Sequence, residues 1–452
     1  MALRFCWKVA KKLGCATLPV SAWSSMEVNV STAQTTASAL AEVPQPSARN
    51  IAVRVVSGAE RALRKGHPWL FAGSISGQSH QGEPGDLAVV FDRNNRFLAV
   101  GLYDPHSSIR VRILQHREPA PIGRGWFAAR LKDAAARRAS LRERSGAART
   151  TGYRLVHGEN DGLPGFVVDR YAETLVIKIY TAAWVPHLQV VLAALADSAP
   201  AERLVLRLGR AMQDRPQYLH GLEDGSVLHG PALDGPLLFW ENGLHFEADP
   251  VRGQKTGFYL DQRENRARVE PLAGGQDVLN VFAYTGGFSV YAARGGAGRV
   301  VDVDASAAAL AAAERNLAHN RHVPAVASVL HETVVEDAFE ALARMGESGR
   351  RFGLVIVDPP AFVRTKTQVG RALSAYQRLT ELSLDVLSPG GTLVQASCSS
   401  RVDAETFFHA VHGAARRVGR PLRELERTGH PLDHPVTFDE GAYLKCLFAT
   451  AP

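Results

Sequence analysis

Two short stretches carry the side chains best suited to chemistry, and each ends an apolar run. They are Leu354-Val-Ile-Val-Asp-Pro-Pro360 and Leu393-Val-Gln-Ala-Ser-Cys-Ser399. The segment between them, Arg371 to Leu387, predicts one helix closed by a Ser-Pro-Gly-Gly turn. A strand–helix–strand unit places two parallel strands so that their carboxyl ends meet at one edge of the sheet. Asp358 and Cys398 are therefore expected in one crevice, where an acid and a lone thiol indicate chemistry on a flat base.

Upstream of these stretches, residues Asp277 to Ser289 predict a strand that turns through Gly286 and Gly287 into a helix over Phe288–Arg294. Glycines let the backbone approach a ligand closely and expose the amino terminus of the following helix. The pattern is not G-x-G-x-x-G, so it does not predict a site for a dinucleotide pyrophosphate.

Two further acids follow predicted strands. Asp304 ends the strand Arg299–Asp304, where a carboxylate can accept hydrogen bonds from both hydroxyls of a ribose. Asp337 lies near the tip of a third strand. Each feature alone is common. In this order, followed by Asp358-Pro-Pro, they favour S-adenosylmethionine over a nicotinamide dinucleotide as the cofactor.

Length and composition indicate the class of protein in which these sites occur. The chain has 452 residues, which predicts two to three domains. Its 46% hydrophobic and 21% charged content is typical of soluble globular protein, and no apolar run is long enough for a membrane-spanning helix. The four cysteines, at positions 6, 15, 398 and 446, are too scattered for a disulfide framework or a zinc site. The sequence thus predicts a protein of a reducing compartment, the cytoplasm, without a metal.

The charge is unevenly distributed. Residues 1–150 carry 22 Lys and Arg against 10 Asp and Glu, whereas residues 151–452 carry 30 against 35. A basic front on a mildly acidic body is typical of a polyanion-binding module joined to a catalytic one. A solvated basic surface without a partner is the alternative that charge alone leaves open.

Pattern and turn signals divide the chain into four segments. Residues 1–50 predict a disordered tail or an over-extended gene start with Met26 as the true start, and a transit peptide is the alternative. Residues 51–120 contain short strands that predict a compact β-barrel. Residues 121–245 predict a small central α/β domain, with a helix over Arg124–Arg149, that serves as a spacer or platform. Residues 246–452 alternate strand and helix, which predicts a doubly wound α/β domain.

Several strings in this chain resemble one known family. Arg64-Lys-Gly-His-Pro-Trp-Leu-Phe71, Tyr153 to Gly165, and above all Gly253-Gln-Lys-Thr-Gly-Phe-Tyr-Leu-Asp-Gln-Arg263 are similar to strings of the RlmI-type 23S rRNA (cytosine-5)-methyltransferases. The resemblance covers roughly Ile51 to Phe448. It implies an N-terminal PUA-type β-barrel, a small central α/β domain and a C-terminal Rossmann-like class I methyltransferase domain. The chain departs from the family in its 50-residue tail, in Ser400 and in Ala361.

The resemblance also implies site residues. A loop with Lys255, Thr256, Asp261 and Arg263 would close over the methionine end of S-adenosylmethionine, because Lys255 and Arg263 suit its carboxylate and Asp261 suits its ammonium group. The remaining implied cofactor contacts are Asn280, Phe282, Tyr284, Thr285, Gly286, Gly287, Asp304, Asp337 and Asp358. Contacts to the RNA substrate are implied for Pro359, Pro360, Phe362, Arg64, Lys65, Arg110 and Arg112. Large-subunit rRNA or its assembly intermediate is the implied partner, with no membrane, and a homodimer is left open.

Cytosine-5 methylation explains why a thiol and a carboxylate would occur together. Carbon-5 of cytosine is a poor nucleophile, and addition of the Cys398 thiolate at carbon-6 turns it into an enamine carbon that attacks a methyl group. Such a thiol requires a pKa lowered by positive charge or a helix amino terminus. Asp358 would hold the base edge and help to protonate the ring nitrogen. Cys446 lies in a predicted final strand and is expected to belong to the core.

Three alternatives remain at this stage. An exocyclic-amine methyltransferase of guanine or adenine also uses Asp-Pro-Pro, usually with an aromatic residue directly after it, but here Ala361 precedes Phe362. A non-catalytic ribosome-assembly factor could keep the fold and bind RNA. A nicotinamide dehydrogenase is disfavoured because G-x-G-x-x-G is missing.

Overall fold

A computed structural model of the chain describes residues 40–363 and 366–452, without the side chain of Lys366. Most of the segment predicted as a disordered or over-extended tail lies outside the described residues. Residues 40–50 are described and differ from that prediction. Leu40 and Val43 are buried in the core of the central domain, and Gln45 Nε2 donates to Gln189 Oε1 at 2.8 Å.

The N-terminal domain is built on one six-stranded sheet in the order β2-β6-β5-β4-β1-β3. Inward side chains alternate along its strands, as with Ile51, Val53 and Val55 on the first strand. Strands β1 and β4 run parallel, and the other pairs are antiparallel. The elements are β1 (Ile51–Val55), α1 (Ser57–Arg64), β2 (Trp69–Phe71), β3 (Ile75–Gln78), β4 (Leu87–Phe91), β5 (Phe97–Tyr103) and β6 (Ile109–His116).

In the central domain, two packed helices cover a five-stranded sheet. Phe127 and Leu131 from α2 meet Leu188 and Leu192 from α4 in one apolar cluster. The sheet order is β11-β10-β9-β8-β7. The elements are α2 (Arg124–Arg137), α3 (Ala139–Arg142), β7 (Gly152–His157), β8 (Phe166–Tyr171), β9 (Thr174–Ile179), α4 (Leu188–Ser198), β10 (Arg203–Leu208), α5 (Arg210–Gln213), β11 (Val227–His229) and the hairpin β12 (Leu237–Glu241) and β13 (Leu244–Ala248).

One helix of this domain is shorter than predicted. The sequence predicts a helix over Arg124–Arg149, but α2 ends at Arg137 and only the short α3 follows. Arg138, between the two helices, turns inward and becomes buried. Its guanidinium binds both oxygens of Asp161, at 2.9 and 2.8 Å, and the carbonyls of Ala134, Arg154 and Asp433. A buried arginine must satisfy its donors, and most of these partners come from outside the helix.

The C-terminal domain is the predicted doubly wound α/β fold. Its sheet has the order β16-β15-β14-β17-β18-β20-β19. The first five strands in this order are parallel, and β20 is antiparallel to both of its neighbours. The central strands are apolar on both faces because helices cover each side. The strands are β14 (Asp277–Val281), β15 (Arg299–Asp304), β16 (Leu330–Val335), β17 (Phe352–Val357), β18 (Leu387–Ser397), β19 (Arg423–Thr428) and β20 (Lys445–Thr450). The helices are α6 (Arg263–Val269), α7 (Gly287–Arg294), α8 (Ala307–His319), α9 (Pro324–Ser328), α10 (Ala338–Glu347), α11 (Val369–Val386) and α12 (Ala404–Arg417).

The strand order of this sheet reverses between β14 and β17. In open α/β sheets, ligands bind at such a reversal, beyond the carboxyl ends of the strands. The parallel register aligns Val281 with Val357 and Val357 with Gln395, so β14, β17 and β18 end at the same edge. The fold therefore points to this edge as the place for a functional site.

The side chain of Trp69 contacts both of the other domains. Trp69 from the N-terminal sheet donates through Nε1 to Glu159 of the central domain at 2.8 Å and packs edge-on against Phe438 of the C-terminal domain, with ring centroids 5.1 Å apart. Among the described residues, no helix is long and apolar enough to cross a lipid bilayer. The same residues hold no group of His, Cys, Asp or Glu side chains arranged for a metal ion.

Candidate active site

A cavity of about 560 Å³ opens at the carboxyl ends of β14, β15, β17 and β18. It brings together the two sequence stretches that carry the acid and the thiol, because both Asp358 and Cys398 line it. Apolar and aromatic residues form much of its wall. Of the residues that the sequence singled out for a cofactor, those that line the cavity are Lys255, Asp261, Phe282, Tyr284, Thr285, Gly287, Asp304, Asp337 and Asp358.

The acids at the ends of β15 and β16 are held by backbone groups. Asp304 accepts the N–H of Tyr284 on Oδ2 and the N–H of Ser306 on Oδ1, both at 2.9 Å. Asp337 caps α10, where its Oδ1 accepts the N–H of Phe339 at 2.9 Å. These bonds orient the carboxylates but leave acceptor capacity, since each carboxylate oxygen has two lone pairs. Both acids can therefore still accept hydrogen bonds from hydroxyl or amine groups of a ligand.

The loop after β14 adopts a strained backbone. Phe282 and Tyr284 have φ angles of +62° and +48°, a region that non-glycine residues rarely occupy. At Gly286, with φ of +70°, an added Cβ would lie 2.7 Å from the Cβ of Ala313 on α8. Strain of this kind persists where the surroundings enforce it and is concentrated at functional sites. Here it brings the Phe282–Thr285 backbone and the start of α7 to the cavity wall.

The loop that precedes α6 presents an ion pair to the cavity. Lys255 Nζ pairs with Asp261 Oδ2, which also accepts the hydroxyl of Tyr443 at 2.9 Å. Although burial by itself would raise it, the Lys255 ammonium holds the pKa of Asp261 well below its usual range. The other oxygen, Oδ1, is buried and has no hydrogen-bond partner within the described residues. A buried carboxylate oxygen without a partner is costly, and a ligand ammonium would satisfy it.

Four predicted cofactor residues lie behind the cavity wall. Thr256 donates to Asp169 and lies 3.1 Å from the hydroxyl of Tyr171. Asn280 donates to Ser289 and Asp302 beneath the glycine turn, at 2.8 and 3.1 Å. Gly286 packs against α8, as described above. These contacts support the loops, although the side-chain Oδ1 of Asn280 is buried without a hydrogen-bond partner in the described residues.

Arg263, the fourth of them, also differs from its predicted role. It is fully buried, and its guanidinium makes a two-pronged contact with Asp433, at 3.0 and 2.6 Å. Burial works against the charge, but the Asp433 carboxylate raises the pKa of Arg263 above its usual value. Asp433 in turn accepts the backbone N–H of Arg154 at 2.9 Å. Arg263 is therefore engaged with Asp433 and is not directed at a cofactor carboxylate.

The central domain does more than separate the other two domains. Its Lys178 donates to the carbonyl of Lys255 at 3.0 Å, and its Asp169 accepts the hydroxyl of Thr256. Asp169 is itself buried and paired with Arg154 at 2.8 Å. Two adjacent residues of the cavity loop are thus held from the central sheet. Of the two expected roles, spacer or platform, these contacts favour the platform.

The thiol and the acid lie at the tips of neighbouring strands. Cys398 is half-buried, with Sγ 3.8 Å from the carbonyl oxygen of Pro359. Burial, aided by the negative charge of Asp358, raises the pKa of the Cys398 thiol to about 11. Burial, aided by the charge of Asp261, raises the pKa of Asp358 to about 7. Near neutral pH a large share of Asp358 is therefore protonated and can donate a hydrogen bond, whereas Cys398 needs added positive charge to ionise.

The residues implied for substrate contact divide into two groups. Pro359 and Pro360 line the cavity, as does Ala361. Phe362 does not line it, and its ring packs against Tyr376 with centroids 5.2 Å apart.

Cys446 is fully buried in an apolar cluster, which confirms the prediction that it belongs to the core.

Of the basic residues implied for RNA contact, three are exposed or partly exposed and one is buried. Arg64 is exposed and pairs with Glu60 and Asp92, and its neighbour Lys65 is exposed as well. Arg110 donates to the carbonyl of Asp104 at 3.2 Å. Arg112 has only 7% of its surface exposed, so the basic strand face that its alternation predicts does not reach solvent there.

Sequence reasoning missed several residues of the site. Tyr259, Gln262 and Leu444 line the cavity, and Asp433 and Lys445 support it. The string Tyr-Leu-Lys-Cys at the start of β20 indicated a role for Lys445, because a lysine inside an apolar strand needs a partner for its charge. Asp433 had no local signal, since its partner Arg263 is distant in sequence.

Replacing Arg263 with Met tests its structural role. Loss of the guanidinium leaves the buried Asp433 carboxylate unpaired, which costs about 3–5 kcal/mol. We expect a clear drop in the midpoint of thermal unfolding without any added cofactor, measured by circular dichroism. The matched control is Arg268→Met on the same helix, where the ion pair with Glu426 is exposed and worth about 1 kcal/mol or less. Equal, small shifts for both variants would contradict the assignment of Arg263.

Comparisons with known proteins agree with this geometry. Residues 155–449 match the family described as S-adenosylmethionine-dependent methyltransferase, and residues 53–116 match a PUA-like domain family. The chain is 50% identical over 406 residues to the ribosomal RNA large subunit methyltransferase of Deinococcus radiodurans, an alignment that covers 90% of this chain and 98% of that protein. It is 35% identical over 398 residues to ribosomal RNA large subunit methyltransferase I of Aliivibrio fischeri, with 87% and 98% covered.

A solved structure shares the fold. SMU.776 complexed with SAH aligns with a TM-score of 0.74 at 21% identity, over 89% of this chain and 99% of its own. The sheet with its reversal point, the acids at the ends of β15 and β16 and the partnerless oxygen of Asp261 all suit S-adenosylmethionine. The chain belongs to the family of S-adenosylmethionine-dependent methyltransferases, and S-adenosylmethionine is its cofactor.

Proposed function

We propose that this protein methylates carbon-5 of a cytosine in large-subunit ribosomal RNA, with Cys398 as a covalent nucleophile. The observation that carries the proposal is the presence of Cys398 and Asp358 in one cavity with acids that suit the cofactor. The names of the relatives in Deinococcus radiodurans and Aliivibrio fischeri support ribosomal RNA of the large subunit as the substrate. Such a substrate fits a cytoplasmic site of action.

The covalent route begins with the sulfur. The Cys398 thiolate adds to carbon-6 of cytosine, a sulfur–carbon bond forms, and the electron pair of the 5,6 double bond becomes available at carbon-5. When bound, S-adenosylmethionine would supply the electrophilic methyl group that carbon-5 accepts, and the electron pair of the broken sulfur–methyl bond would stay on the cofactor sulfur. A base then removes the proton of carbon-5, the 5,6 double bond re-forms, and Cys398 leaves as thiolate. The enzyme returns to its starting state once that base has released the proton to solvent.

Asp358 has the properties of the acid in this scheme. Its pKa of about 7 means that much of it carries a proton at neutral pH. A protonated Asp358 can donate to the ring nitrogen of cytosine, which withdraws electrons from carbon-6 and favours attack by the thiolate. The neighbouring prolines Pro359 and Pro360 fix the loop and form part of the wall against which a flat base can lie.

Different cavity residues bind different parts of the cofactor. Asp304, oriented by two backbone N–H groups, accepts from the ribose hydroxyls. Lys255 binds the carboxylate of the methionine part, and Asp261 offers its partnerless Oδ1 to the ammonium group. The chemistry of each donor or acceptor matches one polar group of the ligand.

The RNA must present an unpaired base to this cavity. A nucleotide within a helix cannot reach a buried thiol, so a loop, a single strand or an unfolded assembly intermediate is the expected substrate. Lys65 and Arg117 are exposed on the N-terminal domain, where Gly66 and Arg117 line a groove shared with the central domain. We assign to the PUA-like domain, residues 51–120, the binding of flanking phosphates, and to residues 246–452 the chemistry. The central domain, residues 121–245, connects the two functions.

Methylation of an exocyclic amine is less well supported. That reaction needs an aromatic ring after Asp-Pro-Pro to stack on the base. Ala361 occupies that position in the cavity, while Phe362 packs on Tyr376 outside it. Cys398 would also have no role in such a reaction.

Asp304→Ala tests the cofactor assignment. Loss of charge-assisted hydrogen bonds should weaken S-adenosylmethionine binding by about 1–3 kcal/mol in calorimetry, roughly a 5- to 150-fold rise in Kd. The matched control is Asp277→Ala, an exposed acid at the opposite, amino-terminal edge of the sheet, which should leave Kd unchanged. An unaltered Kd in Asp304→Ala would mean that the ribose is bound by other groups.

Cys398→Ala tests the reaction. Without the thiol, methyl transfer to ribosomal RNA should fall below detection while S-adenosylmethionine affinity is kept, because the sulfur acts on the base alone. Mass spectrometry of the nucleosides should find 5-methylcytidine with the wild type. The matched control Cys446→Ala should retain turnover and lose stability, as a buried core residue does. Near-normal turnover by Cys398→Ala, or an N-methylated nucleoside as product, would refute the covalent cytosine-5 reaction.

The double substitution Lys65→Gln and Arg117→Gln tests the RNA surface. Each lost phosphate contact should reduce the slope of log affinity against log salt by about 0.7 for a single strand, with cofactor binding unchanged. Filter binding at several salt concentrations measures this slope. The control pair Arg299→Gln and Arg321→Gln removes two exposed charges from the C-terminal domain. Equal slopes for the two double variants would place the RNA on another surface.

A further inference from the structure

Lys445 is a buried lysine next to the thiol. It begins β20, opposite Ser397 on β18, and only 3% of its surface is exposed. Lysines are almost never buried to this degree unless their charge is compensated. Within the described part of the chain, its ammonium forms no salt bridge, so the compensation must come from other groups.

Three backbone carbonyls provide that compensation. Lys445 Nζ donates to the carbonyl oxygens of Ser399, Val402 and Tyr443, the last at 3.1 Å. An ammonium group has three N–H donors, so each donor has one acceptor. Two of the acceptors lie in the loop that directly follows Cys398. The lysine thereby fixes the segment Ser399–Val402 onto the start of β20.

The charges around Cys398 leave Lys445 as the distinctive cation. The thiol faces Asp358 after β17 and the pair of Lys255 and Asp261 on the loop before α6, and three phenols, Tyr259, Tyr376 and Tyr443, also surround it. Asp403, at the start of α12, lies on the far side near Lys445. Lys255 also favours the Cys398 thiolate, but it is paired with Asp261, whose negative charge opposes that thiolate. Lys445 instead is bound by neutral carbonyls and keeps a positive charge that no carboxylate contacts within 4 Å in the described residues.

We propose that Lys445 is a positioning residue that fixes the Cys398 loop through three carbonyls and stabilises the Cys398 thiolate with its charge. This inference rests on the proposed role of Cys398 as nucleophile. Although burial lowers it, the pKa of Lys445 is about 8, so the ammonium form prevails at pH 7. Loss of this cation removes a charge that favours the thiolate and leaves Asp358 and Asp261 to oppose it. The pKa of Cys398 should then rise.

The pH dependence of alkylation measures this effect without any catalysis. Iodoacetamide reacts with the thiolate, and peptide mass spectrometry separates the accessible Cys398 from the buried Cys446. Lys445→Gln keeps hydrogen-bond donors but loses the charge, whereas Lys445→Arg keeps the charge. At pH 7, where Lys445 carries its charge, we expect Lys445→Gln to be alkylated roughly tenfold more slowly than the wild type and Lys445→Arg at close to the wild-type rate, and the difference should disappear as the pH rises through the pKa of Lys445.

The outcomes separate this inference from the proposed function. Equal alkylation rates at pH 7 for wild type and Lys445→Gln, with both folded by circular dichroism, would overturn the role of the charge, as would an identical slowing in the Gln and Arg variants. In methyl transfer, Lys445→Gln should lower kcat at pH 7 with little change in KM, and the loss should shrink as pH rises. If Cys398→Ala proved active, the covalent reaction would fail, yet slower alkylation of Lys445→Gln at pH 7 would still show that Lys445 controls the thiol.

Discussion

The parallel pairing of β17 with β18 is the constraint on which the site depends. The register that sets Val357 beside Gln395 places Asp358 and Cys398, far apart in sequence, at the edges of one cavity. Side chains alternate between the two faces of a strand, so a slip of one residue would turn these groups towards opposite sides of the sheet. Such a slip would break the hydrogen bonds of Gln395 and Ser397 on β18 with Thr380 and Tyr376 on α11. The chemistry of the protein thus follows from the packing of its sheet.

Buried ion pairs around the cavity also support the site. Arg263 with Asp433, Arg154 with Asp169, and Arg266 with Glu241 are all largely hidden from solvent. Removing charges from water is costly, so such pairs contribute little net stability but strongly penalise any arrangement that separates them. Arg266 with Glu241 joins α6 to strand β12 of the central domain, and Asp433 also accepts the backbone N–H of Arg154 from the central sheet. This explains why the central domain, which carries no catalytic side chain, is needed to shape the site.

Local pattern was enough to predict several of the elements that carry the cavity residues. The strand Arg299–Asp304 agrees with its predicted bounds, and the helix after the glycine turn begins one residue earlier than predicted. Two of the failures concern arginines. Arg112 and Arg263 were expected to contact RNA or the cofactor, yet both are buried, and the partner of Arg263 comes from a distant part of the chain. The period of a strand or helix reveals where apolar residues point, but it does not reveal which arginine meets a carboxylate 170 residues away.

Catalysis requires the thiol and the carboxyl group of the centre in opposite protonation states. Burial favours the neutral thiol of Cys398 and the protonated carboxyl of Asp358, and catalysis needs the thiolate together with that acid. The central claim is that this sulfur bonds to the base. The most direct measurement is to incubate the enzyme and S-adenosylmethionine with RNA that carries 5-fluorocytosine, whose fluorine blocks the final proton removal. Mass spectrometry of the digested complex should find the nucleotide on the peptide with Cys398. Methylated RNA without any covalent complex, or attachment at another residue, would contradict the account.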